Sequence, residues 1–477
     1  MRRTGILLGA TVVGAALLRL ATLDSQSFGD FETYTVVLQR MSFGSMVSEI
    51  PEFEGTPPLY YIVSWFWSQL FGTGEVGLRT LPAILSIATV PVTYAIGRTL
   101  VNARVGLIAA ALMAVNPLAV WYAQEARAYA LLMFLTALGL LFFVRLLRDT
   151  GSRTWNLVGW SAASAAALLT HYFAALVIVP EAICLYVAAS ARRPVLAAMM
   201  PPAITGAALI PLIVEQSEQA GGGEPEATAL ASRVAQFPKQ FLVGYDVPLE
   251  VPLAIAGGAL VLLSLWLLIR RANQDARRGA QVAGVIAASG TVILLLLAVV
   301  GADYFLTRYL TVLLVPLSVV LAAGFAAVPR GLLGAGALAV VFLTAVIAVQ
   351  TDATAQRPDL RGALEPLGDP PPGGRVVYIT SITRIDVYLP GARFTDPEGE
   401  EVQEAVVVGL SVVGADTRED PSIDVRPPSE FKLVESTETD SYERLRFRAA
   451  APARASPLEL LNRPPGSVPV AFYYQPG

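Results

Sequence analysis

Apolar residues run along this chain in blocks of about twenty, separated by short polar intervals. A helix rising 1.5 Å per residue needs a block of that length to cross roughly 30 Å of hydrocarbon, whereas barrel strands would alternate over about ten residues. The pattern predicts eleven spans, at 5–22, 79–97, 105–121, 128–147, 155–170, 172–190, 195–214, 250–269, 280–300, 309–328 and 331–349. The expected fold class is a polytopic α-helical membrane protein with about eleven transmembrane helices. Two intervals between spans are long, 23–78 and 215–249, and the first is too long and too structured to be a linker.

In the first of these, Tyr34, Val37, Leu38 and Met41 recur at helical spacing after Asp30, which predicts a short helix on the membrane surface. A second helix is expected after Thr56-Pro57-Pro58, where Leu59, Tyr60, Ile62, Val63, Trp65, Phe66 and Trp67 suit the headgroup boundary. The interval 215–249 carries Gly221-Gly222-Gly223 and an amphipathic stretch through Arg233, Phe237, Lys239 and Phe241. It reads either as a mobile cover or as a plain connection between two halves of the bundle. Beyond the last span, Pro370-Pro371-Pro372-Gly373-Gly374 punctuates the chain, and Arg375–Thr380 and Ala405–Val413 read as buried strands. The expected division is a membrane domain, 1–349, and a small α/β domain, 350–477.

Charge orients this arrangement. Arg2 and Arg3, Arg98 and Arg104, Arg145, Arg148 and Arg153, Arg192 and Arg193, Arg270, Arg271, Arg277 and Arg278, and Arg330 all fall between alternate spans. The positive-inside rule makes that side the cytoplasm. The N-terminus is then cytoplasmic and the C-terminal domain extracytoplasmic. The loop 23–78 agrees, with Asp24, Asp30, Glu32, Glu49, Glu52, Glu54 and Glu75 against Arg40 alone. Composition adds that 54% of residues are hydrophobic and 15% charged, which excludes a soluble chain of 477 residues. Arg19 and the acidic loop after it favour a retained first helix over a cleaved leader. Cys184 is alone and inside a span, so no internal disulfide is expected. Arg in place of almost all Lys suggests a GC-rich bacterial genome, hence a bacterial plasma membrane, and nothing points to nucleic acid.

Ionisable groups in or beside spans are costly and ask for a function. Five places stand out: Asp30 with Glu32, Glu54, Glu125 with Arg127 beside Tyr129, the single histidine His171, and Arg308 beside Tyr309. The topology puts all five at the external end of the bundle. Each has a plainer reading. Asp30 would cap the surface helix, Glu54 would be a solvated loop acid, Glu125 and Arg127 would pair with each other, His171 would be a packing residue, and Arg308 would anchor a span end. Without a cysteine partner or a second histidine a closed zinc site is not expected, and the metal set is empty.

These residues resemble the GT-C integral membrane glycosyltransferases, in the branch of the protein O-mannosyltransferases and the lipid A aminoarabinose transferases. The likeness rests on Gly29-Asp30-Phe31-Glu32, Thr56-Pro57-Pro58-Leu59-Tyr60-Tyr61, Leu78-Arg79-Thr80-Leu81-Pro82, Gln124-Glu125-Ala126-Arg127-Ala128-Tyr129, Thr170-His171-Tyr172, Arg308-Tyr309-Leu310 and Asp359-Leu360-Arg361-Gly362-Ala363. It implies inverting transfer of a sugar from a polyprenyl-phosphate donor to a lipid, glycan or protein acceptor on the external face. It also implies Asp30 as general base with Glu32 beside it, Arg127 and Arg308 on the donor phosphate, and Glu54, Glu125, Tyr129, His171 and Tyr309 lining the site. No cofactor beyond the lipid-linked donor is expected, and no divalent metal. Two positions depart from the family pattern: Phe31 separates two acids that are usually adjacent, and Thr56 stands where several relatives carry histidine. Two other classes fit the composition, a transporter or flippase and a ligase or polymerase of lipid-linked glycans. The first would place its site at broken helices near the bilayer midplane, and no such repeat is evident.

Overall fold

The computed structural model describes residues 2–219, 229–381, 383–395, 400–411, 425–455 and 471–477. Gly221-Gly222-Gly223, and residues 412 and 413 of the second predicted strand, lie outside the described residues. The chain forms two compact units, one of Met1–Leu23 with Ser42–Ala348, the other of Asp24–Met41 with Val349–Gly477.

Every one of the eleven predicted stretches is helical. Among the described residues, eight helices are long and apolar enough to cross a membrane, and a ninth counts if the bent pair Ala103–Val115 and Pro117–Gln124 is one span. Three of the eleven stretches fall short of that length and composition for physical reasons. Arg153–Thr170 is diluted by Arg153, Asn156, Ser161 and Ser164, and Tyr172–Ala188 is apolar but shorter than the rest. The bent pair turns by 58°. Its cause is Pro117, which has no N–H to offer the carbonyl of Met113 four residues back. Arg19, fully buried on the helix Arg2–Leu20, makes good the loss. Its Nη1 donates to Ala114 O at 2.7 Å, its Nη2 to Met113 O at 3.3 Å and its Nε to Ser86 Oγ at 2.9 Å. On the far side of the break, Asn116 Oδ1 caps the new turn by accepting from Ala119 N at 3.1 Å. The break carries the chain into the short turn Tyr122–Gln124 and so to Arg127 and Tyr129.

Small residues let the neighbouring helices close up. A Cβ at Gly97 would lie 2.9 Å from Gly106 Cα, so Glu75–Leu100 and Ala103–Val115 meet backbone to backbone. Outward faces keep large apolar side chains exposed, among them Leu262, Trp266, Ile269, Val299 and Leu333, as a lipid-facing surface requires.

The second unit is built on a six-stranded sheet of the described residues: β1 (Arg375–Ile379), β2 (Arg393–Phe394), β3 (Glu400–Leu410), β4 (Phe431–Glu438), β5 (Tyr442–Ala455) and β6 (Ala471–Gln475). Their order is β2-β6-β1-β3-β5-β4, with β1 parallel to β3 and the other pairs antiparallel. Strand β1 is buried throughout, which explains the apolar run of Val376–Ile379 after Arg375. Val377, Ile379, Val406 and Val408 pack on one face with Leu360 and Leu364, while Val376, Tyr378, Ala405 and Val407 pack on the other with Phe431 and Phe447. Arg375 and Glu404, opposite each other in the β1 and β3 register, form a buried pair at 2.5 Å. The remaining Arg375 donors hold the carbonyls of Leu367, Gly368 and Asp369, so the charge fastens the loop that enters β1.

The helix expected after Asp30 is present as Asp30–Arg40, and that after Pro58 as Leu59–Phe71, with a further helix, Phe43–Phe53, between them. Sequence alone grouped all of 23–78 with the spans. In the structure Asp24–Met41 belongs to the unit that contains the sheet. Ser27 Oγ donates to Pro358 O and accepts from Leu360 N, each at 2.9 Å, and Phe28 N donates to Tyr388 OH at 2.8 Å.

Candidate active site

The residues singled out from sequence fall into two groups, one in each unit. Asp30 and Glu32 belong to the second unit, on one helix but in different surroundings. Gly29, not Asp30, is the N-cap, and Glu32 folds back so that Oε2 accepts from Gly29 N at 2.9 Å. The capping acid is therefore Glu32. It is buried, 3.8 Å from Arg357 Nε. Asp30 is left for another role. Its Oδ2 accepts from Ser381 Oγ at 2.6 Å. Burial pushes the Asp30 carboxyl above the ordinary aspartate value, against the opposing pull of the Ser381 hydrogen bond. Phe31, between the two acids, points into solvent.

The other residues meet in the first unit. Glu54 ends the helix Phe43–Phe53 and is only 5% exposed, so it is not a solvated loop acid. Its Oε1 accepts from Arg127 Nη1 at 2.5 Å. Arg127 thus has a buried partner 73 residues away in sequence. Tyr129, two residues on, opens the helix Tyr129–Leu147 and faces Tyr122 with ring centroids 4.7 Å apart and His171 at 5.8 Å. His171 stands at the junction of Arg153–Thr170 and the next turn, 1% exposed, with Tyr309 at 5.4 Å. Tyr309 stacks on Phe173 at 4.2 Å, and the Arg308 guanidinium lies 5.2 Å from the Tyr309 ring centroid. The charges of Arg127 and Arg308 both act on Tyr129 and on His171. Glu125, half-buried, acts on Tyr122 and Tyr129. Each element ends or breaks where its residue is needed, which leaves polar groups at helix ends and rings between them.

Several members of these two groups were not foreseen. Thr56 Oγ1 and Tyr61 OH share a hydrogen bond of 2.8 Å, and Gln216 bridges Thr56 O at 3.3 Å and Tyr172 OH at 2.7 Å. Phe173 was within reach of the Thr170-His171-Tyr172 motif. Ser381, 351 residues from Asp30, gave no local signal. Among the described residues, no three histidine, cysteine, aspartate or glutamate side chains converge in a metal-binding group. Chemically, two arginines, an imidazole and phenol-bearing walls favour an oxyanion with an apolar attachment.

Residues 55–215 match the family model of dolichyl-phosphate-mannose-protein mannosyltransferase. That stretch contains the Glu125 to Tyr129 motif and His171. No curated protein sequence matches the chain. Among solved structures, it is similar to ArnT from Cupriavidus metallidurans in the apo state, with a TM-score of 0.60 and 14% identity over 94% of this chain and 98% of that one. The structure of that protein bound to undecaprenyl phosphate matches with a TM-score of 0.56 and 13% identity, over 92% of this chain and 97% of the other. Identities this low speak for the fold, and function is argued from the site. The chain is a multi-pass membrane protein with the GT-C glycosyltransferase fold, and its sequence likeness to the mannosyltransferases is carried by residues 55–215.

Proposed function

We propose that this protein is an inverting glycosyltransferase that moves a sugar from a polyprenyl-phosphate carrier to an acceptor on the external face of the membrane. The observation that carries the reading is the group in the first unit, where the rings of Tyr129, His171, Phe173 and Tyr309 pack together beside the Arg308 guanidinium, with Arg127 held by the buried Glu54. Such a group suits a phosphate whose lipid tail remains in the bilayer. The captured undecaprenyl phosphate in the ArnT structure supports a carrier of this class.

In the proposed step an acceptor hydroxyl attacks the anomeric carbon, its proton passes to the Asp30 carboxylate, and the bond from that carbon to the phosphate oxygen breaks. Polyprenyl phosphate leaves with the bonding electron pair. Arg127 and Arg308 stabilise the charge that collects on the departing phosphate. The test is mass spectrometry of lipid-linked sugars and glycoconjugates from cells with and without the protein. Loss of one glycoconjugate with build-up of a polyprenyl-phosphate sugar is the expected result. Unchanged pools of both would sink the proposal.

A further inference from the structure

His171 serves two purposes with its two ring nitrogens, and only one of them is accounted for by the fold. The residue is extended, with φ of −162° and ψ of 135°, and acts as N-cap of the turn Tyr172–Ala174. Its Nδ1 accepts from Phe173 N at 3.3 Å. A backbone N–H is always a donor, so Nδ1 has to be the bare nitrogen. The ring proton of the neutral imidazole is then on Nε2. That Nε2 is buried and has no hydrogen-bond partner among the described residues. A buried donor without a partner costs on the order of 1–3 kcal/mol, so its persistence in a structure asks for a ligand. The ring is held between Tyr129, Phe173 and Tyr309, in the field of two guanidinium groups.

We infer that His171 is a neutral hydrogen-bond donor, whose Nε2–H is reserved for an anionic oxygen of the phosphoryl group bound at Arg127 and Arg308. The inference rests on the carrier-phosphate reading above and adds to it the tautomer and the atom. A neutral donor contributes directional binding beside two fixed positive charges without adding a third. The Phe173 N–H holds the tautomer, and the surrounding rings hold its orientation. His171 is thereby a positioning residue for the leaving phosphate.

Because His171 is the single histidine of the chain, labelling with ¹⁵N-histidine gives one pair of ring nitrogens in the intact protein in lipid nanodiscs. At neutral pH Nε2 is expected to carry the proton and Nδ1 to be bare. Undecaprenyl phosphate should shift the Nε2–H resonance, and undecaprenol, which lacks the phosphate, should not. His171→Phe keeps an aromatic ring among its neighbours and removes the donor, so its affinity for undecaprenyl phosphate should fall about tenfold or more. A proton found on Nδ1, or a bound carrier that leaves Nε2–H unmoved, overturns the inference while Arg308→Ala still weakens binding. A wild-type protein that does not bind the lipid, or binds it as well after Arg308→Ala, overturns the carrier reading instead. An equal response to inorganic phosphate would keep the donor and reject the lipid as its ligand. The spectrum decides the tautomer even where His171→Phe fails to fold.

Discussion

Asp30 and Glu32 are two carboxylates one residue apart on one helix, and their surroundings give them opposite tasks. Glu32 caps its own helix, while the Asp30 carboxylate takes a serine hydroxyl as its hydrogen-bond donor among the described residues and is held above the ordinary aspartate value by burial. Asp30→Asn should therefore lower transfer by about 10²–10⁴-fold, as loss of a general base does. Glu32→Gln should cost less in rate and more in thermal stability. The pH dependence has a definite sign. A carboxyl raised on folding favours the protonated form, so its contribution to stability is full below the unfolded value and is lost as pH rises through the folded one. Asp30→Asn should thus unfold at no lower temperature than the wild type at neutral pH. The acid limb of kcat/KM should lie above that of an ordinary aspartate. Ser381→Ala, which removes a donor that favours the charged form, should move that limb higher still. A limb that stays in place would mean that another group is the base. The sequence named the two acids but could not divide their work, because the capping contact depends on a backbone angle and the Ser381 contact on a fold spanning 351 residues.

At the scale of elements, hydrophobic blocks told where helices lie but not how they break. Pro117 was visible, yet its consequence depends on Arg19, which is 94 and 95 residues from the carbonyls it serves. Sequence alone took Arg19 only as a sign that the first helix is retained. In the structure its guanidinium answers the two carbonyls that the proline break leaves in an apolar interior. Arg19→Ala should destabilise the first unit by about 2–4 kcal/mol, since two buried acceptors and a serine lose a charged donor. Arg19→Lys should recover part, as one ammonium cannot reach all three groups in the geometry of the planar fork. Unfolding in detergent, followed by tryptophan fluorescence, measures both. An alanine variant as stable as the wild type would mean that water or a neighbouring group satisfies those carbonyls. The same reasoning explains why the sequence left two readings of Glu54 open. A glutamate before a Pro-Pro turn looks solvated until the broken helix brings Arg127 to it.

For the whole molecule, the arginine clusters predict that residues 271–278 are cytoplasmic and that the C-terminal sheet is external. Labelling of single cysteines by a membrane-impermeant reagent checks this, and external labelling at 275 would reverse the orientation. The division into units carries a sharper consequence. The candidate base belongs to a segment, Asp24–Met41, whose partners in the same unit begin at Val349, so the two parts of the second unit are separated in sequence by Ser42–Ala348, all of the first unit but its first helix. Period and composition are local properties and cannot reveal such a pairing, which is why the sequence reading drew one boundary at 349. A chain ending at residue 349 should keep a folded first unit, because that unit has its own buried core. It should bind undecaprenyl phosphate with affinity close to that of the full chain, through Arg127 and Arg308. Transfer should be lost by the same 10²–10⁴-fold as in Asp30→Asn, because the helix Asp30–Arg40 loses the residues against which Ser27, Phe28 and Asp30 are fixed. Size-exclusion chromatography, lipid binding and transfer measured on the same preparation separate these outcomes. Retained transfer in the truncated protein would show that Asp30 acts without the sheet, or that the base lies in the first unit.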